Sequence, residues 1–152
     1  MNQYEAVAFR HIPARVKVRY KRLGHTTSWA VPDFHGNHSI IVPHPVCRTS
    51  LYFFLHECSH FRLKHFAPAN FRKRIDRVAY SGNHMISVAH REYEAEREAM
   101  RIMRAEGLAV PLEMIRAAKQ YVKDCLTEPH YSGNAIDTPA RIKRWANSKQ
   151  GG

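Results

Sequence analysis

Hydrophobic positions follow two different periods along this chain, and the change between them falls near residue 49. Before it, Val16-Lys17-Val18-Arg19-Tyr20 alternates apolar with basic side chains, residues 26–31 are β-branched and aromatic, and Ser39-Ile40-Ile41-Val42 is a short apolar run ended by Pro43. Such runs predict strands, and Pro32-Asp33-Phe34-His35-Gly36-Asn37 supplies turn residues for a hairpin between the last two. After residue 49 the spacing becomes helical. Leu51, Phe54, Leu55, Cys58 and Phe61 recur every three or four residues, which predicts a helix capped by Thr49 or Ser50 and stopped by Pro68. A shorter basic helix is predicted over 70–78, and Ser81-Gly82-Asn83 breaks the chain. A long helix over 88–106 ends at Gly107, and another opens at Pro111 with the stripe Leu112, Ile115, Ala118, Val122 and Leu126. A last helix starts at Thr138-Pro139 and carries Ile142 and Trp145. Strands first and helices afterwards predict an α+β fold: a small N-terminal antiparallel sheet, the helix after residue 49, and three to four more helices.

Length bounds the organisation. With 152 residues, 44% of them hydrophobic, the chain supports one core, so we expect a single domain over 1–148 and a flexible tail over 149–152. The first residues lack the uninterrupted apolar stretch of a secretory signal, and no apolar run reaches membrane-spanning length. These features predict a soluble, cytoplasmic protein without a membrane partner. Cys47, Cys58 and Cys125 have neither CxxC nor finger spacing, which predicts reduced thiols packed as small apolar groups.

The charge is strongly positive, with 24 Lys and Arg against 13 Asp and Glu. One cluster comprises Arg62, Lys64, Arg72, Lys73, Arg74 and Arg77, and another Arg141, Lys143, Arg144 and Lys149. A basic face favours non-specific contact with nucleic-acid phosphates, although a solvated, soluble surface accounts for it equally well. No base-reading motif accompanies the charge.

The chemistry concentrates at Leu55-His56-Glu57-Cys58-Ser59-His60, which contains the pattern H-E-x-x-H. On a helix, residues four apart lie one turn above each other, so both imidazoles can reach one zinc ion. Glu57 sits about 100° around the helix from His56. There it faces a water on the metal and can take its proton as general base. Composition alone would produce the motif in about one shuffled chain in twenty, so its helical context is what gives it weight.

A catalytic zinc needs a third protein ligand and an open position. The third histidine of the longer HExxHxxGxxH pattern is missing, with Leu63 at the glycine position and Phe66 at the last histidine position. His65, five residues beyond His60, is expected on another side of the helix. A carboxylate from Arg91-Glu92-Tyr93-Glu94-Ala95-Glu96-Arg97-Glu98-Ala99 is the alternative. Two faces compete there, Glu94 with Glu98 and Glu92 with Glu96. Ala95, Ala99 and Ile102 form a small apolar stripe that should pack on the first helix. Glu94 and Glu98 flank it, which makes Glu94 the first choice as ligand and Glu98 a partner that orients a ligand histidine. His84 and His90 rank below Glu94.

HECSH, the E-Y-E-A-E-R-E-A helix about thirty residues later, and Gly107-Leu108-Ala109-Val110-Pro111 together resemble the small zincin-like metallopeptidases of the ImmA/IrrE group and their short phage and plasmid relatives. The resemblance spans roughly residues 40–122. It implies a zincin-like fold and a gluzincin site with one Zn2+, His56, His60 and Glu94 as ligands and Glu57 as base. It also implies hydrolysis of a peptide bond in a protein substrate, a repressor or other regulator of a phage or mobile element. The chain departs from larger members in lacking an evident helix-turn-helix domain and in placing Cys58-Ser59 inside the motif. By residue type, Tyr93, His130 and Tyr131 are candidate transition-state donors, and the edge at residues 39–42 is a candidate strand for pairing with substrate. Two rival readings keep the scaffold without proteolysis: a basic nucleic-acid- or protein-binding module, and an assembly component.

Overall fold

The computed structural model describes residues 1–22, 28–33, 35–66, 79–127 and 136–149. The chain begins with a helix that the period-two reading of the first third did not predict, α1 (Gln3–Arg10). Its start is a local device. Asn2 Oδ1 accepts from the N–H groups of Tyr4 and Glu5, and Glu5 Oε2 accepts from the N–H of Asn2 at 2.7 Å. This reciprocal cap satisfies amides that a helix start leaves open.

Three strands follow: β1 (Val16–Tyr20), β2 (Trp29–Val31) and β3 (His38–Val42). β2 and β3 pair antiparallel, as the turn residues between them require, with Ala30 opposite Ile40. β1 runs parallel to β3, Val18 opposite Ile40, so the sheet is mixed rather than antiparallel and its order is β1-β3-β2. β3 is central because it carries the most apolar inner face: Ile40 and Val42 are completely buried against α2.

α2 (Arg48–Arg62) starts two or three residues earlier than a cap at Thr49 or Ser50 predicted. Cys47 is the N-cap, and Ser50, three residues in, turns its hydroxyl back to accept from the N–H groups of Val46 and Cys47 at 3.0 and 3.1 Å. Leu51, Phe54, Leu55 and Cys58 line the buried stripe, each apolar side chain of this size contributing about 1.5–3 kcal/mol. The helix ends well before Pro68. Lys64 adopts a left-handed conformation (φ +53°), the Lys64 N–H donates to Phe61 O, and the His65 N–H donates to His60 O at 2.9 Å. This paired closure turns the chain back under the last helical turn.

The break at Ser81-Gly82-Asn83 is a hairpin turn between two short strands, β4 (Ala79–Ser81) and β5 (His84–Ile86), with Gly82 at φ +61°. α3 (Val88–Ala105) is capped by Ser87, whose Oγ accepts from the His90 N–H, and it terminates before Gly107 at φ +74°. α4 (Leu112–Thr127) and α5 (Ala140–Asn147) complete the described helices. The main core joins α1, the sheet, α2, α3 and α4; a second group, Val88, Ala89, Val122, Cys125, Ile142 and Ala146, joins α3 to α4 and α5. The architecture is mixed α and β, with α2 packed between the sheet and α3. None of the described helices is long and apolar enough to cross a membrane. The short basic helix expected over 70–78 lies outside the described residues.

Candidate metal centre

The face of α2 opposite the sheet's strands carries the histidine pair. His56 and His60 stand one turn apart, their rings nearly perpendicular (87°) and their Nε2 atoms 3.2 Å apart. Glu57 is next to them and buried, and its Oε1 accepts a 2.5 Å hydrogen bond from Ser28 Oγ. Burial pushes the Glu57 carboxyl above its ordinary range, against the opposing influence of His56 and the Ser28 hydroxyl.

The carboxylate beside the two rings is that of Glu92, not Glu94. Glu92 is 3% exposed, and its Oε2 lies 3.3 Å from His56 Nε2 and 3.3 Å from His60 Nε2. With the nitrogens 3.2 Å apart, the three atoms form a nearly equilateral triangle. A tetrahedral zinc with bonds of about 2.0–2.1 Å spaces its donors about 3.3–3.4 Å apart. The donor set therefore fits such an ion without rearrangement. Glu92 Oε1 is held by Arg91 through Nε and Nη2 at 3.0 and 2.9 Å, whereas Oε2 is buried with no hydrogen-bond partner among the described residues. An unsatisfied buried carboxylate oxygen is costly, and a cation between the two rings removes that cost. The Glu57 carboxylate also comes within 4.8 Å of the two histidines, but Ser28 engages it and Glu92 is nearer.

The expected roles of Glu94 and Glu98 are corrected by the packing of α3. At about 100° per residue, the apolar stripe of Ala95, Ala99 and Ile102 is flanked symmetrically, by Glu94 and Glu98 on one side and Glu92 and Glu96 on the other. Ala89, Met100 and Met103 are also buried, and all three widen the stripe towards Glu92 and Glu96. Glu92 then sits at the centre of the buried arc and Glu94 about 160° away. Extending the stripe to those three residues is the signal that finds Glu92 from the sequence. Glu98 instead takes Arg101 Nη2 and Nε at 2.7 and 2.9 Å, with Arg62 at 3.8 Å. The carboxylate facing His56 from behind is Glu96, whose Oε1 lies 3.5 Å from His56 Nδ1 and whose Oε2 accepts from the Tyr52 hydroxyl.

Glu94 belongs to a different group. Its Oε1 is 3.5 Å from His65 Nε2 and 3.9 Å from His90 Nε2, and its Oε2 accepts from Ser81 Oγ at 3.3 Å. His65 is completely buried and places its Nδ1 2.9 Å from His60 Nδ1. The expectation that His65 points elsewhere assumed a continuing helix; the turn at Lys64 brings it back. His84 is exposed on β5 and takes no part.

Electrostatics distinguish the two histidines. The carboxylates of Glu96 and Glu92 overcome burial and lift His56 well above its ordinary range, while burial pushes His60 down to about 4. Burial alone would raise Glu92, but His60, His56 and Arg91 hold it well below the usual carboxylate range. Cation binding at these three groups is therefore coupled to their protonation.

The site opens into a cleft of about 180 Å³, walled by Ser28, Trp29, Ala30, Phe66, Arg91 and Tyr121 around His56, Glu57, His60 and Glu92. Among the expected donors, Tyr93 packs edge-on against Trp145 and does not line the cleft, and His130 and Tyr131 lie outside the described residues. Tyr121 and Arg91 occupy the wall instead. The strand beside the cleft is β2: β3 is paired on both edges, whereas β2 has one neighbour among the described residues. Within the basic clusters, Arg72, Lys73, Arg74 and Arg77 lie outside the described residues, and Arg62 contacts Glu98 and His11. No family model matches the chain, and neither curated proteins nor solved structures provide a match to it.

Proposed function

We propose that this protein is a zinc-dependent peptidase of the gluzincin type, with His56, His60 and Glu92 as metal ligands and Glu57 as general base. The observation that carries the reading is the equilateral set of His56 Nε2, His60 Nε2 and the unsatisfied Glu92 Oε2, with a second buried carboxylate adjoining it. Two imidazoles and a carboxylate are a donor set that zinc accepts while keeping a position open. Zinc bound there supplies Lewis acidity, polarising a scissile carbonyl and making a water acidic near neutral pH.

The chain's own groups supply the rest. Glu57 takes a proton from the attacking water as the new C–O bond forms and later delivers it to the amine nitrogen, which leaves as the C–N bond breaks. Its raised pKa brings it nearer the working range of a proton shuttle, and the Ser28 hydroxyl fixes its orientation. Arg91 restrains Glu92, and Tyr121, which lines the cleft wall, is by residue type the candidate donor to developing negative charge on the carbonyl oxygen. The edge of β2 that pairs with no other strand among the described residues, carrying Trp29 at the cleft rim, suits an extended peptide added as a further strand. Similarity to the ImmA/IrrE group suggests a regulatory protein of a phage or mobile element as substrate.

Glu57→Gln tests the reading. Zinc content should stay at one equivalent per chain in both proteins, and profiling of new protein N-termini in cells should show cleavages with the unaltered protein that vanish with Glu57→Gln. Identical N-terminal profiles from two zinc-loaded proteins would refute proteolysis and favour a binding or assembly module that retains the site.

A further inference from the structure

Metal ligation through Nε2 requires a lone pair on that atom, so each ligand histidine must carry its ring proton on Nδ1. For His56 the group facing Nδ1 is a carboxylate, Glu96 Oε1 at 3.5 Å, with no hydrogen bond formed between them. For His60 it is another imidazole. His60 Nδ1 and His65 Nδ1 are 2.9 Å apart, a distance that demands one shared proton between them.

Two assignments are available. If His65 holds the proton on Nδ1, His60 carries its own on Nε2 and cannot bind a cation there. If His60 holds it, His65 is protonated on Nε2, which lies 3.5 Å from Glu94 Oε1. A carboxylate only accepts. Both His65 Nε2 and Glu94 Oε1 are buried with no hydrogen-bond partner among the described residues, and a proton on His65 Nε2 would let their 3.5 Å approach satisfy both.

We propose that His65, oriented by Glu94, is a positioning residue that locks His60 in the Nδ1–H tautomer and thereby keeps His60 Nε2 available as a metal ligand. The inference rests on reading His60 as a ligand, and it adds a relay in which an imidazole stands between carboxylate and ligand histidine. The backbone makes the relay rigid. The His65 N–H is tied to His60 O at 2.9 Å, and its carbonyl accepts from the Tyr80 N–H at 3.0 Å, clamping it between the end of α2 and β4. Ser81, from the same strand, donates to the other oxygen of Glu94.

The test uses the full chain and zinc alone as probe. Long-range proton–nitrogen NMR of metal-free, 15N-histidine-labelled protein should show His60 protonated on Nδ1 and His65 on Nε2. Chelator competition should give zinc binding about 10–100-fold weaker for His65→Phe, which keeps volume and removes the acceptor. His65→Asn, whose amide oxygen replaces the Nδ1 acceptor, should recover most of the loss. A His60 ring protonated on Nε2, or His65→Phe binding zinc as tightly as the unaltered protein, would overturn the proposal. His65→Asn no better than a folded His65→Phe would do the same. Should the unaltered protein take up no zinc at all, the metal reading fails instead, and the NMR assignment still decides the tautomer. If His65→Phe does not fold, the asparagine variant and the NMR result carry the decision.

Discussion

Replacing Glu92 and Glu94 separately is the sharpest check on the geometry, because the two glutamates are two residues apart on α3 and point in different directions. Glu92 Oε2 is one corner of a donor triangle with sides of 3.2–3.3 Å, whereas Glu94 reaches His60 only through the His65 ring. Zinc affinities of small protein sites correspond to roughly 10–16 kcal/mol for four ligands. One ligand's share is then roughly 3–4 kcal/mol, or on the order of 10²–10³-fold in dissociation constant. Glu92→Gln should weaken zinc by that factor. Glu94→Gln keeps an acceptor oxygen behind His65 and should cost at most about tenfold. The assay is competition against a chromophoric chelator at fixed pH and ionic strength, with circular dichroism to confirm folding, since Gln retains an acceptor for Arg91. The reverse ranking, or an unchanged affinity for Glu92→Gln, would refute the assignment of the third ligand.

Other outcomes follow from single contacts. Tyr52→Phe removes the hydroxyl that donates to the buried Glu96 carboxylate and should lower unfolding free energy by about 1.5–3 kcal/mol, read from urea denaturation; an unchanged midpoint would show that the contact contributes nothing. Cys47 is exposed with its thiol pKa lowered by the Ser50 hydrogen bonds, whereas burial pushes Cys58 and Cys125 up to about 12. A thiol reagent at pH 8 should therefore label one cysteine rapidly and the other two only after unfolding, and rapid labelling of all three would contradict the burial. Arg10 and His11 hold Glu106 down to about 2, so its stabilising contribution is present above pH 4.5 and is lost as pH falls towards 2. Glu106→Gln should cost no more than about 1 kcal/mol at pH 7, as befits a largely solvated pair, with the difference shrinking by pH 3; a difference independent of pH would rule out the linkage.

The helical half of the fold was readable because periodicity of 3.6 is a local property. α2, α3 and α4 fall where their stripes predicted, and Gly107 ends α3 as expected. α1 lies outside the predicted elements although its cap is also local: Asn2 and Glu5 have the spacing of a reciprocal cap, but eight residues give only about two turns of helical period. The parallel pairing of β1 with β3 and the hairpin at Gly82 are long-range or brief, and neither leaves a period to count.

At the site, the sequence by itself determined that His56 and His60 share a helix face with Glu57 adjoining, since four residues make one turn wherever the helix lies. It also pointed to the glutamates of α3 ahead of His84 and His90 as the further group beside them. The choice of Glu92 over Glu94 depended on which side of an evenly flanked stripe meets α2, and the packing of Met100 and Met103 decided that. His65 required still more, a left-handed residue at Lys64 to end the helix and a strand to receive the returning chain. Spacing orders groups within one element; the rotation of a helix about its axis, and the reversal that folds a loop beneath it, are set by contacts between elements distant in the chain.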